Sequence, residues 1–113
     1  MVSNEKERRG FPAFALARIR ELAAKERVIY RSPRVEQDVG NLGYSLEDVC
    51  SCIASLEDRH FQHSERPADQ KFWQDVYHCQ WSSVPGVPDA LYIKLMLTPT
   101  TITVVLCSLH LHR

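Results

Sequence analysis

The sequence predicts a single α+β domain in which two helices pack against an antiparallel β-sheet. Apolar residues recur at helical spacing in two segments of the first half, and three runs rich in aromatic and β-branched residues close the chain. Only the short links "SSVPGVPD" and "TPTT" separate these runs, and consecutive strands joined by short links usually pair antiparallel. With 113 residues, the chain has the length of one domain, so we expect residues 1–113 to fold as a unit.

The first helix is expected over about residues 12 to 25, within "GFPAFALARIRELAAKERV". Phe14, Ile19 and Leu22 lie near helical spacing in this segment. Pro12 fits the first turn of a helix because its missing N–H would be unpaired there. Residues 1 to 11 are mostly polar or charged, and we expect them to be flexible.

The second helix has its own start signal in "GNLGYSLEDVCSCIASLEDRHF". Ser45 can cap the helix while Asp48, three residues later, reaches back to the first turn, and an apolar stripe at i, i+3, i+4 spacing follows. Between the two helices, "RVIYRS" predicts a short strand or an extended arm. The Ser32-Pro33 pair is expected to end regular structure there.

Polar residues and Pro67 in "HSERPADQK" predict a surface loop over residues 63 to 71. The strand-like runs "KFWQDVYHCQW", "ALYIKLML" and "ITVVLCSLHL" then follow. Alternation along the second run places its leucines and isoleucine on one face, and Tyr92 and Lys94 on the other. The sheet should therefore have one apolar face and one face that carries polar groups.

The first strand-like run combines both kinds of side chain. Alternation puts Gln74 on the same face as His78, and Asp75 on the face of Trp73 and Tyr77. We assign Trp73 and Tyr77 to core packing and Gln74 to the floor of a site.

Composition argues against several classes of protein. Lys and Arg balance Asp and Glu at 14 each, which is not the strongly basic character of a protein that coats nucleic acid. No apolar run approaches the roughly 20 residues of a membrane helix, and the N-terminal stretch lacks the apolar segment of a secretory signal. We therefore expect no membrane partner and a cytoplasmic location. The four cysteines show no C-x-x-C spacing and are interpreted as small buried thiols.

Three stretches, "FWQDVYH", "LYIKL" and "VVLCSLH", resemble the MqsR toxins, which are mRNA interferases of toxin–antitoxin pairs with a RelE-like fold. The resemblance extends over roughly residues 15 to 113. It implies a toxin that cuts mRNA without a metal or other cofactor, with a preference for GCU-type sites. It also implies a cognate antitoxin, expected to be a zinc-containing helix-turn-helix protein.

The resemblance also indicates site residues. The family's glutamine and strand tyrosine fall on Gln74 and Tyr92, whereas its two catalytic lysines fall on His63 and His110. We expect these four positions to form the catalytic site. The residues expected to bind substrate are basic: Lys94, Arg66, Lys71 and Arg113.

Metal-free RNA cleavage needs a base that takes the 2′-hydroxyl proton, an acid that protonates the departing 5′-oxygen, and donors to the phosphate. The products are a 2′,3′-cyclic phosphate and a 5′-hydroxyl. Imidazole suits the acid and base roles because it exchanges protons near neutral pH. Replacing lysine by histidine is therefore compatible with this chemistry.

Three alternatives remain open from the sequence. The chain could be a catalytically silent relative that binds RNA or antitoxin, because both lysines of the family are absent. It could be an unrelated small enzyme. Finally, it could hold a structural zinc ion or be a metal-dependent nuclease, with ligands drawn from Cys50, His60, His63, His78 and Cys79.

Overall fold

The structure, a computed structural model, describes residues 6–100 and 102–112 and confirms the α+β class. Within these ranges three α-helices accompany a six-stranded sheet. The helices are α1 (Leu16–Ala24), α2 (Pro33–Asn41) and α3 (Leu46–Ala54). The strands are β1 (Glu7–Arg9), β2 (Val28–Tyr30), β3 (Phe61–Arg66), β4 (Gln74–Trp81), β5 (Asp89–Leu97) and β6 (Val104–Leu111), and a 3-10 turn covers Asp58–His60.

The strand order is β1-β3-β4-β5-β6-β2. Neighbouring strands are antiparallel, as predicted, except that β2 runs parallel to β6 at one edge. The prediction of an entirely antiparallel sheet is wrong for this pair, because a long stretch of chain connects β2 to β6. A parallel neighbour requires such a crossover connection.

Helix α1 begins at Leu16, later than the predicted start near residue 12. The carboxylate of Asp75 on β4 accepts hydrogen bonds from the backbone N–H groups of Ala13 (2.9 Å) and Phe14 (3.0 Å). These contacts bind the segment before the helix to the sheet. Local sequence signals do not reveal them.

Helix α2 is absent from the sequence prediction, which expects two helices and a break at Ser32-Pro33. The Ser32 hydroxyl accepts a hydrogen bond from the Val35 amide, and Pro33 occupies the first turn. Proline is favoured at this position because its fixed φ suits the helix and its missing N–H costs nothing there. The same dipeptide that suggests a break therefore starts a helix, and three helices accompany the sheet.

Helix α3 begins as predicted. The Ser45 hydroxyl accepts from the Asp48 amide at 3.1 Å, and the Asp48 carboxylate accepts from the Ser45 amide at 2.8 Å. This reciprocal pair satisfies two amide donors of the first turn. Val49 and Ile53 of the predicted apolar stripe are fully buried.

The N-terminal edge of the sheet differs from the sequence prediction. Residues 63–66, expected to lie in a loop, belong to β3, and residues 7–9 of the stretch expected to be flexible pair with it as β1. Ser64 and Glu65 are polar yet buried in this strand. Polar residues usually indicate an exposed loop, so the sequence pattern does not predict this strand. In the fold, residues distant in sequence form hydrogen bonds and ion pairs with these two side chains.

The two faces of the sheet differ as predicted. One face is apolar and packs with α1 and α3 around a core that includes Tyr77, Leu91, Ile93, Leu95 and Leu109. The other face, hereafter the open face, carries His63, Glu65, Gln74, His78, Tyr92, Lys94 and His110 on neighbouring strands. The four cysteines are free and buried, which confirms that prediction. In the part of the chain described, no helix combines the length and apolar character needed to cross a bilayer.

Candidate active site

A cleft of about 780 Å³ lies between the open face and α2. The α2 side contributes Arg34, Asp38, Asn41 and Leu42, and the sheet side contributes His63, His78, Tyr92, His110, Leu111 and His112. Histidine and tyrosine side chains thus make up most of the sheet wall. Of the four predicted catalytic residues, the cleft brings together three: His63, Tyr92 and His110.

Three rings form a row across the central strands, which we call the ring row: His78 on β4, Tyr92 on β5 and His110 on β6. His78 is the cross-strand partner of Tyr92, and Tyr92 is that of His110. The Tyr92 and His110 rings are stacked, with centroids 4.7 Å apart and an interplanar angle of 9°. His78 lies 5.6 Å from Tyr92 and 3.9 Å from His112. The row offers several groups able to donate or accept protons on the open face of the sheet.

His63 lies beside the ring row on β3, where Glu65 holds its imidazole. His63 Nε2 is 2.9 Å from Glu65 Oε1, and the His63 side chain keeps 25% of its surface exposed. The other oxygen, Glu65 Oε2, lies 3.1 Å from Lys6 Nζ and 3.4 Å from Lys94 Nζ. One carboxylate with 1% exposure thus serves three basic side chains.

The electrostatics of the open face define the charge of this carboxylate. Burial alone would raise the pKa of Glu65, but hydrogen bonds from His63 and Lys6 and the charge of Lys94 outweigh burial and lower that pKa to about 2. Glu65 is therefore ionised near neutral pH.

Two groups of the ring row are shifted toward their neutral forms. Burial, followed by the charges of His112 and His63, lowers the pKa of His78. Burial, followed by the negative charge of Glu65, raises the pKa of Tyr92. Near neutral pH the cleft therefore presents a neutral imidazole that can accept a proton beside a phenol that can donate a hydrogen bond.

Gln74, the fourth predicted catalytic residue, does not line the cleft. It is fully buried, and its Nε2 donates to Gln70 Oε1 at 2.5 Å. Its own Oε1 has no hydrogen-bond partner among the described residues. The structure therefore places Gln74 within the protein beside the site, where direct contact with a substrate would require movement.

The residues predicted to bind substrate are dispersed. Lys94 is 18% exposed and forms an ion pair with Glu65. Arg66 forms an ion pair with Glu7, and its guanidinium carbon lies 5.6 Å from the centroid of the Trp73 ring. Lys71 is exposed in the link between β3 and β4, and Arg113 lies outside the described residues. None of the three described residues lines the cleft.

The "WQDVY" stretch serves mainly to hold the fold together. Tyr77 is buried against Phe61, which confirms its assignment to the core. Trp73 is only half-buried and lies outside the core cluster, so that assignment was wrong. The Arg9 guanidinium covers the Trp73 ring at 4.0 Å, a cation–π contact that links β1 to the start of β4.

The residues of the site that sequence reasoning missed include Arg34, Glu65, His78 and His112. Strand alternation carried a signal for His78, because it shares a face with Gln74, and for His112, two residues after His110. Arg34 lies on the helix that was not predicted. Glu65 had no local signal because its partners Lys6 and Lys94 are distant in sequence.

A metal site would require several ligand side chains that lie close together. Among residues 6–100 and 102–112, no three His, Cys, Asp or Glu side chains are grouped so that they could hold a metal ion. The proposed ligands Cys50, His60, His63, His78 and Cys79 all lie within these ranges.

A search of curated proteins found no match. The family described as "Motility quorum-sensing regulator, toxin of MqsA" matches residues 11–110, nearly the whole chain. Membership indicates a toxin of a toxin–antitoxin system with an antitoxin partner, and the fold is consistent with a RelE-like toxin. The chain belongs to the MqsR toxin family.

Proposed function

We propose that this toxin is an mRNA interferase that cleaves RNA by attack of a ribose 2′-hydroxyl on the adjacent phosphate, without a metal ion. The observation that carries the proposal is the meeting of His63, His78, Tyr92 and His110 in one cleft. Imidazole and phenol groups can supply the proton transfers and the hydrogen bonds that this reaction requires.

In the proposed reaction, His63 accepts the 2′-hydroxyl proton as the 2′-oxygen attacks phosphorus. The bond from phosphorus to the 5′-oxygen breaks, and His110 donates a proton to that oxygen. Tyr92, protonated near neutral pH, donates a hydrogen bond to a phosphate oxygen. The products are a 2′,3′-cyclic phosphate and a 5′-hydroxyl.

The register of the sheet constrains how the substrate lies. His63 on β3 and His110 on β6 are separated by β4 and β5, which corresponds to about 14 Å between the backbones. We expect the reacting phosphate to lie over His78 and Tyr92, with both outer imidazoles leaning inward. Because neutral His78 is nearer to this point, it is the second candidate for the base.

The ring row also offers a surface for bases. Unpaired RNA bases stack on tyrosine and histidine rings, and such stacking tolerates different sequences. The outer ring of the Tyr92–His110 stack is exposed and can receive a base. Any preference for particular bases would then come from polar side chains on the α2 wall, Arg34, Asp38 and Asn41.

We further propose a cytoplasmic location and an antitoxin of the zinc-containing helix-turn-helix type. The antitoxin proposal rests on the family resemblance, whereas the location proposal rests on the composition of the chain. Co-expression with the neighbouring reading frame, followed by co-purification and zinc analysis, would test the antitoxin proposal. A partner without zinc would contradict it.

The cleavage experiment incubates purified protein with a defined RNA in EDTA, both free and in a cell-free translation reaction, and identifies the fragment ends. We expect discrete cuts with 2′,3′-cyclic phosphates. RNA that stays intact in both reactions, with well-folded protein, would contradict the proposal and favour a silent relative that only binds RNA or antitoxin.

A further inference from the structure

We propose that Glu65 is a positioning residue that holds His63 as the Nε2–H tautomer and leaves Nδ1 as the nitrogen that meets the substrate. The inference deepens the proposed function and rests on it for the catalytic consequence. The tautomer itself can be tested separately.

The two oxygens of the Glu65 carboxylate contact different neighbours. Glu65 Oε1 contacts His63 Nε2, whereas Glu65 Oε2 contacts the ammonium groups of both Lys6 and Lys94. An ionised carboxylate can only accept hydrogen bonds. The hydrogen between Glu65 and His63 must therefore be on Nε2. In neutral His63, the lone pair able to take a proton is then on Nδ1.

The backbone makes this pairing persistent. His63 and Glu65 are two residues apart on β3, so their side chains leave the same face of the sheet. β3 lies between β1 and β4, and Arg8 on β1 is opposite Glu65 in the strand register. Because the carboxylate is almost completely buried, it has little freedom to move away from the imidazole.

The pairing has a chemical consequence. When His63 accepts a proton at Nδ1, the imidazolium that forms already donates Nε2–H to a negative charge. A carboxylate so placed fixes the ring orientation and stabilises the protonated form, as in other carboxylate–histidine pairs. Lys6 and Lys94 compete for the same charge, and they keep the carboxylate ionised without occupying Oε1.

A purely structural explanation would be that Glu65 only neutralises Lys6 and Lys94 in a buried place. That explanation predicts that the His63 tautomer is independent of Glu65. It also predicts that replacing the carboxylate lowers stability without a specific fall in kcat. The tautomer and the division of effects between kcat and KM separate the two explanations.

The experiment uses the full chain labelled with ¹⁵N-histidine and records imidazole proton–nitrogen correlations at a pH where His63 is neutral. In the wild type, we expect His63 to carry its hydrogen on Nε2. In Glu65→Gln, whose amide can also donate, we expect the Nδ1–H form to become populated. Lys6→Met serves as the matched control because it removes a contact to Oε2 only, and its tautomer should match the wild type.

Kinetics on a short RNA complete the test. We expect Glu65→Gln to lower kcat by about 10- to 100-fold with little change in KM, a loss comparable to that found when the hydrogen-bond partner of a metal-ligating histidine is removed. Lys6→Met should change kcat by less than about threefold.

A wild-type spectrum with the hydrogen on Nδ1 would overturn the inference even if the variant failed to fold. A Glu65→Gln protein with the wild-type tautomer and wild-type kcat would also overturn it. If the tautomers behave as expected but the wild type cuts no RNA in either reaction, the proposed function fails and the positioning by Glu65 stands.

Discussion

The rings of Tyr92 and His110 lie parallel across β5 and β6, with centroids 4.7 Å apart. This stack joins two residues that the family resemblance assigned to the site, and it lies on the open face of the sheet. Its tyrosine hydroxyl and its ring surfaces can have separate functions, which substitution can distinguish.

Tyr92→Phe keeps the ring and removes the hydroxyl. We expect kcat to fall by about 10- to 100-fold and KM to change little, because the lost hydrogen bond would act on the phosphate of the transition state. Tyr92→Ala should raise KM as well, because it also removes the stacking surface. Steady-state cleavage of a short RNA measures both constants. Equal effects of the two substitutions would contradict separate functions.

Arg34→Gln should weaken RNA binding because Arg34 is the basic residue on the α2 wall of the cleft. If it contacts a phosphate, the slope of log K against log salt should decrease in magnitude by up to about 0.7. Fluorescence anisotropy with an uncleavable RNA at several salt concentrations measures this slope. Lys25→Gln, located after α1 and away from the cleft, is the matched control. An unchanged slope for Arg34→Gln would exclude a phosphate contact.

Asp75→Asn should destabilise the fold by about 1 to 3 kcal/mol. The substitution replaces one of the two carboxylate oxygens that accept from the amides of Ala13 and Phe14 with an NH₂ group in a fully buried site. Urea denaturation measures the change in the free energy of unfolding. Asp69→Asn, at an exposed position of the link before β4, is the control. Equal stability of both variants would show that Asp75 does not anchor this segment.

Acid should destabilise the wild type partly through Glu65. Its folded-state pKa is about 2, below the ordinary value of 4.5, so the folded protein binds that proton less tightly than the unfolded chain does. The stability from ionised Glu65 is complete above pH 4.5 and is lost as the pH falls toward 2.

Glu65→Gln isolates this effect from that of other carboxylates. The difference in unfolding free energy between wild type and variant should change by on the order of 2 kcal/mol across that pH range. Urea titrations at several pH values measure it. A difference that does not depend on pH would contradict the account of the Glu65 carboxylate.

Signals that are local in sequence predicted much of the fold. The capping pair of Ser45 and Asp48 gave the start of α3, and strand alternation gave the two faces of β5. Features that depend on distant partners were missed. Ser32-Pro33 is compatible with both a break and a helix start, and burial of Val35 and Val39 against the core favours the helix.

The site was predictable to a similar degree. The resemblance indicated His63, Tyr92 and His110, and alternation placed Tyr92 on the polar face; these three residues line one cleft. Burial of Gln74 could not be predicted because it depends on Gln70 and on the strands on either side. The central position of Glu65 depends on Lys6, which is brought close only when β1 pairs with β3.

The central claim is that His63 and His110 carry the proton transfers of RNA cleavage in this cleft. The most direct measurement compares the cleavage rate of one defined RNA, in the reaction where the wild type is active, between the wild type and the double variant His63→Ala/His110→Ala. His60→Gln, outside this cleft, is the histidine control. We predict a loss of at least about 100-fold for the double variant and near wild-type rates for the control. Unimpaired cleavage by a folded double variant would contradict the account.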